Sequence, residues 1–380
     1  MKYNSRYPSV TDLAKRARKR VPRFAMDYLE GGIGEEHALR RNRTDLDNIL
    51  LWPRYLRDMN RVDTGCELFG KRYDLGIGIS PVGLGSMMWP GVEEILASAA
   101  QSANIPYILS TMSTTSMEKI AALAPDVAWF QLYVPADIGA MQDLVARADR
   151  AGFRVLVVTV DIPVGAKRDR ELKNGLILPF RLTPRILAQI LTCPEWALRT
   201  VRNGIPDFVN LKPYIRAGKI NHLSEYLSTF LLSGVTTERI RMIRELWKGP
   251  LVIKGLQSVE DVNQVIQLGV DGVMISNHAG RQLDAAPSGV QALEAIPVST
   301  REDITVMVDS GVRTGLDVIR TRALGACSCF SGRSFFYGVA AMGNDGGRQV
   351  IEIFRDEITR TLKQLGCSSF MSMDSGWLHP

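Results

Sequence analysis

What this chain lacks narrows it first. No stretch of its 380 residues stays apolar long enough to cross a bilayer. The N-terminus has no apolar core of the signal-peptide kind. Cysteine is sparse: Cys66, Cys193, Cys327, Cys329 and Cys367 are odd in number, scattered, and form no Cys-x-x-Cys pair. Such spacing suggests neither a zinc site nor a disulfide framework, so no metal is expected and a reducing cytoplasm is the default compartment. The net charge of +6 is modest, the basic residues gather on no obvious face, and no nucleic-acid motif is present. Nucleic acid is therefore not expected as a partner. A dinucleotide fingerprint is missing too. Gly83-x-Gly85 runs on to Met88 and Gly32-x-Gly34 to His37, where the motif needs a third glycine.

What is present is alternation. Short apolar runs at 75–81, 106–110, 128–133, 154–161, 251–254, 272–276, 305–309 and 327–331 read as strands. Helical stripes lie between them, such as Ile138, Met141, Leu144, Val145 and Ala148, or Val259, Val262, Val265 and Ile266. Ala151-Gly152, Leu268-Gly269 and Leu324-Gly325 each close a helix just before a strand. Continuous apolar strands alternating with helices imply a parallel sheet covered on both faces. Eight such units predict an α/β fold, a closed (β/α)8 TIM barrel; an open doubly wound sheet is the alternative. Two helices precede it. One starts at Ser9 with Leu13 and Ala17 inward, and the other spans Phe24–Leu29 and ends at Gly31-Gly32. Thr115-x-x-Glu118 fits a capping box. From Met371 the chain reads as a mobile tail. The expected organisation is one domain over 1–380, with the barrel at about 71–370 and a long insertion at about 176–246 between strands four and five.

Polar residues fall at the C-terminal ends of the strands: Gln131 and Tyr133, Thr159 and Asp161, Lys254, Ser276 and His278, Asp309, then Gly332-Arg333. In a barrel those ends form one rim, where active sites of this fold are built. The densest stretch leaves strand six as Ser276-Asn277-His278-Ala279-Gly280-Arg281-Gln282. A histidine can take a proton near neutral pH, and an arginine fork fits a carboxylate. A lone histidine in a loop would be unremarkable; this one has Ser-Asn before it and Gly-Arg-Gln after it. Asp309-Ser310-Gly311-Val312-Arg313 and Ser331-Gly332-Arg333 leave strands seven and eight. Glycines let backbone N–H groups approach an anion, and barrels commonly bind phosphate at this point. A phosphorylated substrate or a mononucleotide is implied.

Ser-Asn-His-Ala-Gly-Arg-Gln resembles the active-site signature of the FMN-dependent 2-hydroxy acid oxidases and dehydrogenases, and the likeness extends from about Tyr28 to Cys367. That family includes glycolate oxidase, lactate oxidase, L-lactate dehydrogenase and mandelate dehydrogenase. The resemblance implies FMN as cofactor and a small 2-hydroxy acid as substrate. His278 would be the base and Asp161 its orienting partner. Lys254 would stabilise the flavin ring, and Tyr133 would act beside the base. Tyr28, Tyr133, Arg168 and Arg281 would grip the substrate. Gly83, Ser110, Gln131, Thr159 and Ser276 would meet the isoalloxazine. Asp309, Gly311, Arg313, Gly332 and Arg333 would hold ribityl and phosphate. A homotetramer is implied as well.

Three positions depart from glycolate oxidase. Met112 stands where that enzyme has a tryptophan over the substrate, and a flexible thioether admits a larger side chain. Gly83 replaces an alanine of several oxidases. Thr314 replaces a common arginine. The insertion resembles that of membrane-associated lactate and mandelate dehydrogenases. Its basic residues, from Arg181 to Lys219, accompany Ile186, Leu187, Ile190, Leu191, Trp196, Leu198 and Val201. These features point to a dehydrogenase lying on the inner face of the cell membrane and passing electrons to a quinone. The alternatives are a lid packed on the barrel mouth and a soluble oxidase that forms hydrogen peroxide.

Overall fold

A computed structural model of the protein describes residues 3–175, 182–214 and 234–379. Arg181, Arg216 and Lys219 of the insertion lie outside the described residues. Eight parallel strands close into a barrel: β1 (Ile77–Ile79), β2 (Tyr107–Ser110), β3 (Ala128–Tyr133), β4 (Leu156–Thr159), β5 (Leu251–Leu256), β6 (Gly272–Ile275), β7 (Thr305–Val308) and β8 (Ser328–Ser331). Closure comes from β8 against β1, with Cys329, Phe330 and Ser331 opposite Ile77, Gly78 and Ile79. The strands are almost wholly buried, as their apolar runs require.

The ends of the strands differ from expectation where the chain has other work. β4 leaves the ladder after Thr159, and Asp161 turns toward the rim. β5 continues past Lys254 to Leu256, and its register against β6 shifts at Gly255. Gly255 has φ +108°, open to glycine and strained for other residues.

One element was not legible in advance. A hairpin of Cys66–Leu68 and Lys71–Tyr73, turning at Phe69-Gly70, precedes the barrel. Phe69 packs 5.8 Å from the ring of Trp129, which lies 5.5 Å from Phe330. Trp129 and Gly272 stand at the starts of β3 and β6, so Phe69 stops the N-terminal end of the barrel. Trp129 and Phe330 are fully buried and Phe69 half-buried against them; full burial of a phenylalanine side chain contributes roughly 1.5–3 kcal/mol. That end is plugged, and the C-terminal end holds the cavity.

The N-terminal helices run Val10–Ala17 and Arg23–Glu30. Ser9 caps the first, accepting from Asp12 N at 3.1 Å. The second crosses the barrel mouth and places Tyr28 there, its hydroxyl donating to Gly83 O at 3.1 Å. A third helix, His37–Asn48, braces the loop after β6 through reciprocal Asn42–Asn277 side-chain bonds of 2.8 Å.

Three local expectations are corrected. Ser116, not Thr115, caps the helix Met117–Leu123, because Thr115 is drawn inward toward Glu93. Ile138 begins its helix but stays exposed, at the end of the stripe where no element covers it. The segment after Met371 is no loose tail: Met373 and Trp377 are buried, and Trp377 Nε1 donates to Leu365 O at 3.2 Å. In the insertion, Pro184–Leu191 and Pro194–Asn203 are helices, where the apolar spacing of 183–191 and 194–202 predicts them. Ile186 and Trp196 pack inward, with Trp196 edge-on to Phe24 at 5.9 Å and donating to Met87 O at 3.0 Å. No helix among the described residues is long and apolar enough to cross a membrane.

Candidate active site

At the C-terminal mouth lies a cavity of about 630 Å³. Its walls include Tyr28, Gly83, Met112, Tyr133, Thr159 and Arg168. Lys254, His278, Arg281, Asp309, Gly311, Arg313, Gly332 and Arg333 also line it. Ser110, Gln131, Asp161 and Ser276 stand directly behind these residues. Every residue singled out from the sequence thus converges on one site.

The backbone after β6 folds back on itself. His278 and Ala279 have φ of +54° and +57°, and Gly280 has +74°. Such geometry is costly for non-glycine residues and persists where surroundings enforce it. Here Ala279 N donates to Ser310 Oγ at 3.0 Å, Gly280 N to Asn277 Oδ1 at 3.0 Å, and His278 N to Ser276 Oγ at 2.9 Å. The turn aims the imidazole inward. His278 Nδ1 lies 2.9 Å from Asp161 Oδ1, and Nε2 lies 3.5 Å from the Tyr133 hydroxyl. An ionised Asp161 fixes the proton on Nδ1 and leaves the Nε2 lone pair facing the cavity. Burial pushes the Asp161 carboxyl upward, but the facing His278 and then Lys254 outweigh it and hold it below its ordinary value. Asp161 sits where it does because position 255 has no side chain; a Cβ there would lie 2.5 Å from its Cγ.

Two arginines form an opposite wall. Arg281 Nη1 donates to the carbonyls of Tyr28 and Gly31, and its guanidinium lies 5.0 Å over the Tyr28 ring. Burial and then the neighbouring Arg168 pull the Arg281 pKa down to about 10. Glu171 bridges the pair, accepting from Arg168 Nη1 at 3.1 Å and from Arg281 Nη2 at 3.0 Å. Burial raises the phenols of Tyr28 and Tyr133, which stay neutral donors near pH 7.

The remaining cations line the deeper part. Lys254 Nζ donates to Ser276 Oγ at 2.9 Å and pairs with Asp309 at 3.1 Å. Arg333 is buried and reaches only carbonyls: Leu29 O at 2.7 Å, Gly31 O at 3.0 Å and Ala279 O at 3.2 Å. Arg313 Nη1 reaches its neighbour's carbonyl, Val312 O, at 2.7 Å. Among the described residues neither guanidinium has a carboxylate partner, and burial lowers both pKa values, that of Arg333 to about 9. A buried cation beside a half-buried one, neither with a counter-ion among the described residues, calls for an anion. The helix Arg333–Met342 starts beside them, adding the positive end of its dipole. Gln131 Nε2 and Thr159 Oγ1 are buried without a hydrogen-bond partner among the described residues. A phosphorylated ring system with its own acceptors and donors would satisfy both sets at once.

Several participants gave no warning in the sequence. Asn42 and Ser310 hold the catalytic turn from distant elements, and nothing local marks them. Gly255 and Glu171 left signals that could have been read: an isolated glycine in a strand suggests a bulge, and Glu171 stands three residues after Arg168.

Fold and site together define a class: a (β/α)8 oxidoreductase barrel that takes a mononucleotide in its depth and a small anion at its mouth. The sequence profile of the FMN-dependent dehydrogenases matches residues 17–380, and the chain belongs to that family. Its cofactor is FMN. The L-lactate dehydrogenase of Pseudomonas syringae pv. syringae (strain B728a) is 38% identical over 374 residues, covering 97% of this chain and 98% of its own length. That of Vibrio cholerae serotype O1 (strain M66-2) is 38% identical over 371 residues, covering 96% and 97%. Among solved structures, the monotopic membrane protein (S)-mandelate dehydrogenase superposes with a TM-score of 0.91 at 35% identity, covering 98% of each chain. A mandelate oxidase superposes at 0.80 with 34% identity, covering 96% of each.

Proposed function

We propose that the protein oxidises an L-2-hydroxy acid of lactate or mandelate type to the 2-oxo acid and delivers the electrons to a quinone-type acceptor. The observation that carries the reading is the His278–Asp161 pair, 2.9 Å apart, on the same cavity as Arg168 and Arg281. Arg168 and Arg281 hold the substrate carboxylate, and the neutral phenols of Tyr28 and Tyr133 donate to the substrate oxygens. His278 takes the departing proton at Nε2. The buried Asp161 carboxylate stabilises the imidazolium so formed. FMN, when bound, supplies the two-electron acceptor for the substrate α-carbon. Ser110, Gln131, Thr159, Ser276 and the backbone at Gly83 would hold its ring system, with Lys254 offering positive charge. Asp309, Gly311, Arg313, Gly332 and Arg333 would hold ribityl and phosphate. Met112 forms a compliant wall where the substrate side chain lies.

The acceptor follows from the insertion. Leu187, Leu191, Leu198 and Val201 are exposed, while Ile186 and Trp196 on the other faces of the same helices pack on the barrel mouth. Arg185, Arg199 and Arg202 accompany the exposed set. One side thus serves as a lid, and the outer side suits an anionic lipid surface on the inner face of the cell membrane, near quinone. The wider proposal is a single domain over 1–380, with barrel 71–370 and insertion 176–246, acting as a homotetramer. Product analysis tests it. L-lactate or (S)-mandelate should yield the 2-oxo acid faster with a quinone analogue than with oxygen. Rapid hydrogen peroxide formation, with a quinone analogue inert, would overturn the acceptor assignment.

A further inference from the structure

The two arginines of the anion clamp are already occupied. Glu171 takes Arg281 Nη2 and Arg168 Nη1, while Arg281 Nη1 is committed to the carbonyls of Tyr28 and Gly31. Arg281 therefore has no free fork for a substrate carboxylate while Glu171 stays in place. Glu171 itself lines the cavity. Its carboxylate has the charge and the planar two-oxygen shape of the group the clamp is built to receive.

We propose that Glu171 is an internal stand-in for the substrate carboxylate, which displaces it from Arg168 and Arg281 on binding. Glu171 is then an affinity-setting residue that weakens binding of every carboxylate ligand alike. This inference rests on the proposed role of Arg168 and Arg281 as the carboxylate clamp.

The surroundings suit an exchange. Two guanidiniums this close repel each other, and burial removes the water that would screen them, so the clamp needs an anion in both states. Glu171 supplies it before substrate arrives. Its short helix, Asp169–Lys173, buries no residue and lies over the cavity. The helix is moored by other contacts. Arg170 pairs with Glu36 at 2.5 Å, Arg185 donates to Lys173 O at 2.8 Å, and Asn174 Nδ2 donates to Asp27. Glu171 can swing out by side-chain rotation while the helix keeps these moorings. Arg168 Nε, buried without a partner among the described residues, is then a donor that only an incoming ligand satisfies. An arriving carboxylate gains the two contacts Glu171 gives up, and this one besides.

The exchange lowers affinity for substrate and product by one common factor, because both carry the same carboxylate. Such uniform binding changes KM without creating transition-state stabilisation. It speeds release of the 2-oxo acid at the cost of a higher KM.

The test is Glu171→Gln in the FMN-loaded enzyme, an isosteric change that removes the charge. Pyruvate and oxalate, titrated by their perturbation of the flavin visible spectrum, serve as unreactive carboxylate probes. The expected result is tighter binding of both, by about tenfold, which is about 1.4 kcal/mol. KM for L-lactate or (S)-mandelate should fall by a similar factor, without a rise in kcat. Glu171→Asp, too short to bridge both arginines, should fall between. Unchanged or weaker probe binding in Glu171→Gln, with the wild type binding normally, would overturn this inference and leave the clamp standing. If the wild type binds neither probe, the clamp reading fails, and this inference with it. A merely structural role for Glu171 would loosen probes and substrate together, the opposite sign.

Discussion

At position 255 the backbone takes φ +108°, and a side-chain carbon there would lie within 3 Å of three Asp161 atoms. The glycine thus decides where the Asp161 carboxylate stands, and the carboxylate decides which nitrogen of His278 is free. Gly255→Ala should strain the backbone by about 1–3 kcal/mol and push Asp161 off the imidazole. Thermal unfolding should register the strain. Rapid mixing with substrate should show flavin reduction slowed by at least tenfold, with FMN retained. A wild-type reduction rate in this variant would show that the 2.9 Å contact is dispensable. Residues of this kind explain what the sequence hid. His278 and Arg281 were legible because their chemistry is packed into seven consecutive positions. Asn42 and Ser310 were not, because their roles come from partners on other elements.

Helices carry the next set of consequences. The helix Gly346–Leu365 packs against Gly315–Ala323 so closely that a Cβ on Gly315 would meet Glu357 Cβ at 2.5 Å. Glu357 accepts from Gly315 N, and burial pushes its carboxyl from 4.5 up to about 7. The sign follows from the raised value. The folded state favours the protonated form, so this contribution is whole below pH 4.5 and is lost as pH rises through about 7. Glu357→Gln should therefore raise the unfolding temperature at pH 8, by an effect on the order of 1 kcal/mol, and give no gain at pH 4. A gain of equal size at both pH values would contradict the assignment. The insertion helices test the membrane proposal. Replacing Leu187, Leu191, Leu198 and Val201 by serine removes the exposed face and leaves buried Ile186 and Trp196 untouched. Wild-type protein should sediment with vesicles of anionic lipid and the variant should not. Equal sedimentation, or none for the wild type, would leave the insertion as a lid alone. The sequence reads 183–191 and 194–202 as helical, each within one residue of the helix that forms. It did not separate the face that docks from the face that stays out, since both are apolar.

Across the whole molecule, eight strand–helix units close one barrel, a hairpin stops its lower end, and three N-terminal helices crowd the upper rim. The barrel was legible because its strands read as short apolar runs alternating with helical stripes, three of them preceded by a helix that ends in glycine at Gly152, Gly269 and Gly325. The hairpin was not, because three-residue strands carry too little pattern. The rim assembles five cations, Arg168, Lys254, Arg281, Arg313 and Arg333, around one cavity. Among the described residues two acids, Glu171 and Asp309, line the same space. That surplus is the electrostatic reason for a cofactor phosphate below and a substrate carboxylate above. Denatured protein should release about one FMN per chain and no FAD; a colourless protein that fails to take up added FMN would refute the site. The central claim is that His278, oriented by Asp161, removes the substrate proton. Its most direct test is the rate at which the yellow flavin bleaches under argon when L-lactate or (S)-mandelate is added, compared between wild type and His278→Gln. The wild type should bleach rapidly, and the variant should lose roughly two to four orders of magnitude in rate with FMN still bound. Bleaching of the variant at the wild-type rate would contradict that claim.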